Sequence, residues 1–194
     1  YRAGLPALYW ARSSGRGKAV RLTDGPDARP TWSPDGRTVA FTRTDGAPSR
    51  RRIWLVERDG SGLRRLTNAV NTEMDPAWSP DGTRIVFSSR SSKDDPMSLW
   101  IADVATGERF QLTLGEYGAT ERAPAWSPDG SQIAFVSDHG GGMPEIYLVP
   151  STGGEPVRLT FNDEVDANPS WSPDGTRLAI ERCCTTGSSD IWVI

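Results

Sequence analysis

The stretch PAWSPDG spans residues 76–82, and nearly the same seven residues occur three more times along the chain. The other copies are PTWSPDG at 30–36, PAWSPDG at 124–130 and PSWSPDG at 169–175. The tryptophans of the four copies follow one another at steps of 46, 48 and 45 residues. Internal repeats of this length are typical of propellers, solenoids and other repeat arrays.

The SPDG part of each copy has the composition of a tight turn between two strands. Proline presets φ for the second position of a type I turn, aspartate tolerates the third position, and glycine adopts the left-handed conformation that follows. We therefore interpret the phrase as structural, with its tryptophan filling the gap between neighbouring units. The residues assigned to this role are Trp32, Trp78, Trp126, Trp171, Gly36, Gly82, Gly130 and Gly175.

Each repeat carries four short apolar stretches, which in the second repeat are PAWS, RIVFSS, LWIADV and RFQLT. They are rich in β-branched and aromatic residues and are bounded by Gly, Pro, Asp and Asn, as strands are. Four antiparallel strands in every ~45 residues match one blade of a β-propeller. The sequence therefore predicts an all-β fold, a β-propeller of four-stranded antiparallel blades in which residues 1–194 form a single domain or a propeller fragment.

The two ends of the chain supply incomplete units. Residues 8–23 provide a third and a fourth strand, and residues 169–194 provide a first, a second and a third, which makes 17 strands in all. If the blades do not close into a ring, the strands at Leu8–Arg12 and Ile191–Ile194 carry open edges through which chains can self-associate.

The pattern LT…PxWSPDGxxIAF…IWxxD resembles the repeat of TolB-type propellers, a WD-like repeat that also occurs in propellers attached to prolyl-oligopeptidase and tricorn-type peptidases. The resemblance covers nearly the whole chain. It implies a propeller that is typically six-bladed, lies in the periplasm or outside the cell, and binds other proteins. Since about four blades are too few for that ring, we expect a part of a larger propeller, with closure of four blades and assembly of two chains as alternatives.

Composition and motifs argue against several functions. With 22 basic and 25 acidic residues the chain has no basic surplus for nucleic acid, and no apolar run approaches the ~20 residues of a membrane-spanning helix. The sequence contains no G-x-S-x-G, H-E-x-x-H or P-loop motif. His139 and the adjacent Cys183 and Cys184 have no further ligands at metal-binding spacing. We expect no enzymatic activity, no metal and no cofactor.

A carboxylate recurs five residues before each repeat tryptophan. The four residues are Asp27, Glu73, Glu121 and Asp166. This position is expected in the loop that leads into the innermost strand of each blade, beside the central channel. The carboxylates either cap neighbouring backbone or form a ring of acids that receives a cation or a basic peptide.

The loops at 43–52, 89–98 and 137–145 differ in length, charge and glycine content, whereas the SPDG turns are alike. Variable loops on a rigid scaffold are where binding is concentrated. We therefore expect the partner, another protein or peptide, to dock on the face that carries these loops, near the recurrent acids. The alternatives are a propeller that gates a peptidase whose catalytic domain lies elsewhere, and a binder of a small ligand or glycan.

Overall fold

The computed structural model describes residues 6–14, 17–46, 50–68, 72–90, 92, 94–115, 118–139, 141–183 and 189–194. These residues contain 17 strands, as the repeat pattern predicts, and within each sheet consecutive strands pair in antiparallel fashion. The described part of the chain contains no helix with the length and hydrophobicity of a membrane span. The prediction of an all-β propeller with four-stranded antiparallel blades is confirmed.

Four blades follow one another along the chain, each built from the innermost strand outward. The strands of blade 1 are β3 (Asp27–Trp32), β4 (Thr38–Thr44), β5 (Arg51–Glu57) and β6 (Arg64–Arg65). Those of blade 2 are β7 (Thr72–Trp78), β8 (Arg84–Arg90), β9 (Ser98–Asp103) and β10 (Arg109–Gln111). Those of blade 3 are β11 (Glu121–Trp126), β12 (Gln132–Ser137), β13 (Glu145–Pro150) and β14 (Val157–Arg158). Blade 4 has β15 (Val165–Trp171), β16 (Leu178–Cys183) and β17 (Ser189–Val193), and an N-terminal pair is formed by β1 (Tyr9–Trp10) and β2 (Val20–Arg21).

The core consists of apolar layers between neighbouring blades. In β8, Ile85 and Phe87 pack with Ile53 of blade 1, while Val86 between them packs with Phe135 of blade 3. A central strand of a blade is therefore buried on both faces. This explains why such strands are continuous apolar runs without alternation of apolar and polar residues.

The repeat tryptophans join consecutive blades through a side-chain hydrogen bond. The indole N–H of Trp78 donates to the carbonyl of Thr31 at 3.2 Å, and Trp126 and Trp171 donate to the corresponding carbonyls of Ala77 and Ala125. If the four tryptophans all filled gaps between units, they would occupy equivalent buried places, and this prediction is wrong: Trp126 is buried, Trp78 and Trp171 are half-buried, and Trp32 is 47% exposed. Among the described residues no innermost strand lies in front of β3, so this indole has no carbonyl of a preceding blade to meet.

The four blades form an open arc. In the described chain β17 pairs with β16 alone, and neither strand of the N-terminal pair contacts blade 4. The alternative in which the N-terminal fourth strand completes the last blade is therefore not what the structure shows. Leu8 instead packs against Val39 and Phe41 of blade 1, and the outer edge of blade 4 is left with the exposed side chains of Ile191 and Val193.

Candidate functional site

The innermost strands carry a β-bulge at the same place in every blade. Pairing with the second strand is interrupted between Ala28 and Thr31 in blade 1, and at the equivalent residues of the other blades. The bulge contains a proline and, before it, a residue with positive φ. These left-handed residues are Arg29 (54°), Asp75 (56°), Ala123 (51°) and Asn168 (50°). Only glycine adopts this conformation without cost, so tertiary packing holds these four in place.

The left-handed residues and their prolines, all on the innermost strands, line a shallow, open depression of about 260 Å³, which we call the channel wall. Arg29 forms an ion pair with Asp75, and Asp75 also accepts a hydrogen bond from the amide of Ala123 at 3.4 Å. Asn168 donates to Glu181 at 2.7 Å. The channel wall therefore shows a cation, an anion, a methyl group and an amide at four equivalent positions.

The recurrent acids lie elsewhere than the sequence suggested. Each of them is the first or second residue of its innermost strand, not part of the loop before it. Their exposed fractions are 3% for Asp27, 0% for Glu73, 5% for Glu121 and 0% for Asp166. The expectation of a ring of open carboxylates at the channel mouth is therefore wrong. Each carboxylate points into the blades and accepts hydrogen bonds there.

In blades 1 and 4 the acid is an aspartate held by an arginine of the adjacent strand. Arg43 donates to both oxygens of Asp27 at 2.6 and 2.8 Å, and Arg182 donates to both oxygens of Asp166 at 2.7 and 2.9 Å. Burial alone would raise the pKa of Asp166, but hydrogen bonds from Arg182, Thr160 and Asn162 outweigh it and lower the pKa.

In blades 2 and 3 the acid is a glutamate that reaches into the preceding blade. Glu73 accepts hydrogen bonds from the Thr67 hydroxyl and the Ile53 amide of blade 1, and from Arg109 of its own blade at 2.9 Å. Burial raises the pKa of Glu73, and these hydrogen bonds offset only part of that effect.

Glu121 makes the equivalent contacts with blade 2. It accepts hydrogen bonds from the Thr113 hydroxyl and, at 3.3 Å, from the Leu99 amide. The capping interpretation therefore describes the geometry of both glutamates.

The face opposite the long loops is built from the four SPDG turns. In each turn the serine hydroxyl donates to the aspartate two residues later, as Ser79 does to Asp81 at 2.6 Å. This hydrogen bond is the largest of the causes that lower the pKa of Asp81 to about 2. The turns also touch one another, since a Cβ added to Gly82 would lie 3.6 Å from Pro34 of the preceding blade. These contacts leave the turns little freedom to vary.

The other candidates from the sequence stand apart from the channel. His139 lies in the loop between β12 and β13, with its ring 6.2 Å from that of Tyr147. Cys183 ends β16 and carries a free thiol, whereas Cys184 lies outside the described residues. No group of three or more His, Cys, Asp or Glu side chains in the described ranges has a geometry that could hold a metal ion.

Sequence reasoning missed the left-handed channel residues. The available signal was the proline two residues before each repeat tryptophan, because proline cannot donate to a strand ladder and marks a bulge or an edge. The residue before it differs from repeat to repeat inside an otherwise constant phrase. That variability is what a position facing a ligand would show.

Residues 90–191, just over half of the chain, match the family model described as the TolB beta propeller domain. The chain belongs to the TolB β-propeller family. The Tol-Pal system protein TolB 1 of Novosphingobium aromaticivorans is 41% identical over 56 residues, which are 28% of this chain and 12% of that protein.

Solved structures agree with the TolB propeller at the level of the fold. TolB from Acinetobacter baumannii superimposes with a TM-score of 0.78 at 24% identity, over 96% of this chain and 45% of that one. A puromycin-hydrolysing peptidase from Mycobacterium tuberculosis gives a TM-score of 0.69 at 23% identity, over 93% of this chain and 32% of that one. The chain therefore spans less than half the length of each of these TolB relatives and of the peptidase.

Proposed function

We propose that this TolB-family propeller is a non-catalytic module that binds another protein or a peptide on its long-loop face. The observation that carries the proposal is the contrast between the two faces. The SPDG face is fixed by hydrogen-bonded turns that touch from blade to blade, whereas the loops at 43–52, 89–98 and 137–145 share no pattern. The different side chains of the channel wall, Arg29 and Asp75 among them, add a second variable surface.

The recurrent acids have an indirect part in this proposal. The backbone amide of Glu121 donates to the carbonyl of Met97, and that of Asp166 donates to the carbonyl of Pro144, so each acid lies next to the end of a long loop. Since the carboxylates are buried, we assign to them the positioning of these loops. Asp27, Glu73 and Asp166 are each paired with an arginine, so they add little net negative charge beneath the face, and the expectation of a basic partner drawn to these acids is not retained.

The name of the Novosphingobium relative supports the proposal, since that protein is part of a Tol-Pal system. By the same resemblance we propose a location in the periplasm or outside the cell. Fractionation of cells that produce the chain with its native flanking sequence tests the location. Recovery in the cytoplasmic fraction would contradict it.

Site-specific photo-crosslinking tests the docking face. A photoreactive residue is placed at Asp94 or Met143 on the long-loop face, and at the exposed Arg37 or Arg177 of the SPDG face as matched controls. We expect a crosslinked protein from the first two positions and none from the controls. Crosslinks that arise from Arg37 and Arg177 alone would show that the partner docks on the SPDG face and would contradict the proposal.

A gating propeller of a peptidase is the second candidate, favoured by the structural likeness to the mycobacterial enzyme. A hydrolase domain with a G-x-S-x-G nucleophile elbow, encoded next to this chain, would identify that function instead. The discriminating measurement is hydrolysis of short peptides by the protein with its complete coding sequence, compared with a variant whose elbow serine is changed to alanine.

The open edge of blade 4 gives the chain a second kind of partner, another copy of itself. In β17 Ile191 is 75% exposed and Val193 is 61% exposed, and exposed apolar edge strands tend to pair. Light scattering on the 194-residue chain should show a dimer or larger species, and Ile191→Lys should shift it towards the monomer. A strictly monomeric parent chain would contradict self-association.

A further inference from the structure

The outer strands of blades 1, 2 and 3 carry two polar residues beside the large aromatic residue of the third strand. One stands two residues before that aromatic residue, and the other pairs with it from the fourth strand. In blade 3 the two are Glu145 and Arg158, which form an ion pair at 2.7 Å. In blade 2 they are Ser98 and Gln111, which share a hydrogen bond at 3.2 Å. Both blades therefore join complementary partners at this place.

Blade 1 has two cations at the same place. Arg52 stands two residues before Trp54, and Arg65 pairs with Trp54 from the fourth strand, so the alternation of side chains puts both arginines on one face of the sheet. Burial lowers the pKa of Arg52, and the nearby charges of Arg50 and Arg65 lower it further against the effect of neighbouring carboxylates. A pair of like charges therefore takes the place of the complementary partners of blades 2 and 3.

Two more arginines lie beside this pair, where the long loop of blade 1 enters β5. The amide of Asp45 donates to the carbonyl of Arg50 at 2.9 Å, which holds the base of the loop in place. The side chains of Arg50 and Arg51 are exposed to solvent. We call Arg50, Arg51, Arg52 and Arg65 together the arginine surface.

The long loops differ in their balance of charge. Residues 43–52 contain four arginines and one aspartate, residues 89–98 contain two basic and two acidic residues, and residues 137–145 contain two acidic residues and neither lysine nor arginine. Asp45 binds Arg65 at 3.6 Å, but its single charge does not balance the four guanidinium groups of the arginine surface. The arginine surface is therefore a local cationic region on a chain whose net charge is −3.

We propose that the arginine surface binds an acidic segment of the protein partner, one that carries several neighbouring carboxylates. Guanidinium groups pair with carboxylates through two parallel hydrogen bonds, and crowded cations are stabilised by an anion that lies among them. Surplus charge, and not a vacancy at any one arginine, is what would attract the segment. Because this names the chemistry of the partner that the long-loop face receives, it rests on the proposed function.

The first experiment uses the pentapeptide Gly-Asp-Glu-Asp-Gly with blocked ends as the probe and Gly-Asn-Gln-Asn-Gly as its neutral counterpart. Calorimetric titration of the 194-residue chain at low salt should give saturable binding of the acidic peptide, with a Kd on the order of 1 mM or below. The neutral peptide should bind at least about tenfold more weakly, because charge-assisted pairs are lost. Added salt should weaken binding of the acidic peptide. Equal affinities, or no saturation by the acidic peptide, would overturn the proposal.

Variants then locate the peptide. The double variant Arg50→Glu/Arg51→Glu should weaken binding at least about tenfold, because two attractive charges become repulsive. Arg37→Glu/Arg177→Glu on the SPDG face is the matched control, since it changes the net charge of the chain equally, and should leave the affinity within about twofold. If the first variant does not fold, Arg50→Gln/Arg51→Gln replaces it, with a loss of at least about threefold expected. Equal losses on the two faces would overturn the proposal.

A third arm separates the acidic peptide from other anions. Inorganic pyrophosphate and vesicles of phosphatidylglycerol are titrated in the same way. Binding of either one without binding of the peptide would overturn the proposal and indicate a phosphate ligand or a membrane surface instead.

The crosslinking experiment distinguishes failure of this proposal from failure of the proposed function. Crosslinks from the long-loop face without any peptide binding would retain the docking face and remove the arginine surface from it. Peptide binding that Arg50→Glu/Arg51→Glu abolishes, together with crosslinks from the SPDG face alone, would retain the arginine surface and contradict the proposed docking face.

Discussion

Blades 1 and 4 and blades 2 and 3 use one repeat position in two ways. Where the acid is aspartate, an arginine of the adjacent strand binds it, so this ion pair lies within one blade. Where the acid is glutamate, a serine stands in that arginine position, and the longer side chain reaches the Leu-Thr threonine of the preceding blade. Asp166 also accepts a hydrogen bond from Thr160 of blade 3, so the two kinds of blade differ in whether an arginine of the adjacent strand holds the carboxylate.

The acids of blades 4 and 2 also differ in their protonation equilibria. The pKa of Asp166 is lowered by its hydrogen bonds in spite of burial, whereas burial raises the pKa of Glu73. The comparison teaches that an acid at a constant sequence position need not have a constant electrostatic role. That role also depends on the residue eleven positions after the repeat tryptophan, which is arginine in blades 1 and 4 and serine in blades 2 and 3.

The largest expected effect should be common to both kinds of blade. Trp126→Ala and Trp171→Ala each remove an indole that donates to the preceding blade, and each should lower the free energy of unfolding by about 3–5 kcal/mol. Urea denaturation checks this, with the half-exposed Trp32→Ala as a control of clearly smaller effect. A large difference between Trp126→Ala and Trp171→Ala would show that the two kinds of junction differ beyond their acids.

The next effect should be specific to the aspartate blades. Arg43→Met leaves the buried carboxylate of Asp27 without the guanidinium that binds both its oxygens, which should cost about 3 kcal/mol. The double variant Asp27→Asn/Arg43→Met should recover much of that loss in the same urea experiment, because no buried charge then remains. If the double variant is as unstable as the single one, the pair stabilises blade 1 by packing and not by charge.

The pH dependence of stability should have opposite signs for Asp166 of blade 4 and Glu73 of blade 2. The folded pKa of Asp166 lies below its ordinary 3.8, so its contribution is fully present above that pH and is lost as the pH falls through the folded pKa. The folded pKa of Glu73 lies above its ordinary 4.5, so its contribution is present at acid pH and is lost as the pH rises through the folded pKa.

Two variants measure this contrast through the free energy of unfolding between pH 3 and pH 8. Asp166→Asn should be less stable than the parent by about 2 kcal/mol at neutral pH, since hydrogen bonds to a charged group are lost. That deficit should shrink in acid. The stability of Glu73→Gln relative to the parent should instead increase as the pH rises. If the stability of both variants relative to the parent changed with pH in the same direction, the two acids would not differ in the way proposed.

The smallest effect should again be shared by all blades. Ser79→Ala removes the hydroxyl that binds Asp81 and should cost less than about 1 kcal/mol, because water screens the exposed carboxylate. Its contribution is present above pH 3.8 and is lost as the pH falls towards the folded pKa of about 2. Ser172→Ala in blade 4 should lower the midpoint of thermal unfolding by a similar amount. A marked difference between the two variants would mean that the SPDG turns differ in stability although their hydrogen bonds are alike.

The fold could be predicted from the sequence because the repeat consists of residues with strong local conformational preferences. Tryptophan at a constant step, Pro-Asp-Gly turns and apolar runs define the number of strands and their order. The exposure of Trp32 could not be seen in this way, because burial of that indole depends on the blade in front of it and not on its own repeat.

The site was harder to predict because its geometry comes from pairs of residues far apart in the sequence. The recurrent acids were found, but their burial follows from partners such as Arg43, which lies 16 residues after Asp27. The left-handed backbone of Asp75 was not foreseeable from propensity, since a residue before proline normally adopts an extended conformation. Comparing repeats position by position, aspartate with arginine and glutamate with serine, would have revealed the pairing.

The bulge before each proline has a consequence for how such a protein can change. Because residues 29, 75, 123 and 168 lie outside the regular ladder, a substitution there alters the lining of the channel without altering strand pairing. The side chain at each of the four positions can be changed by a single codon while the backbone stays the same. The lining of the channel can therefore diverge among relatives of this propeller while their blades remain superimposable.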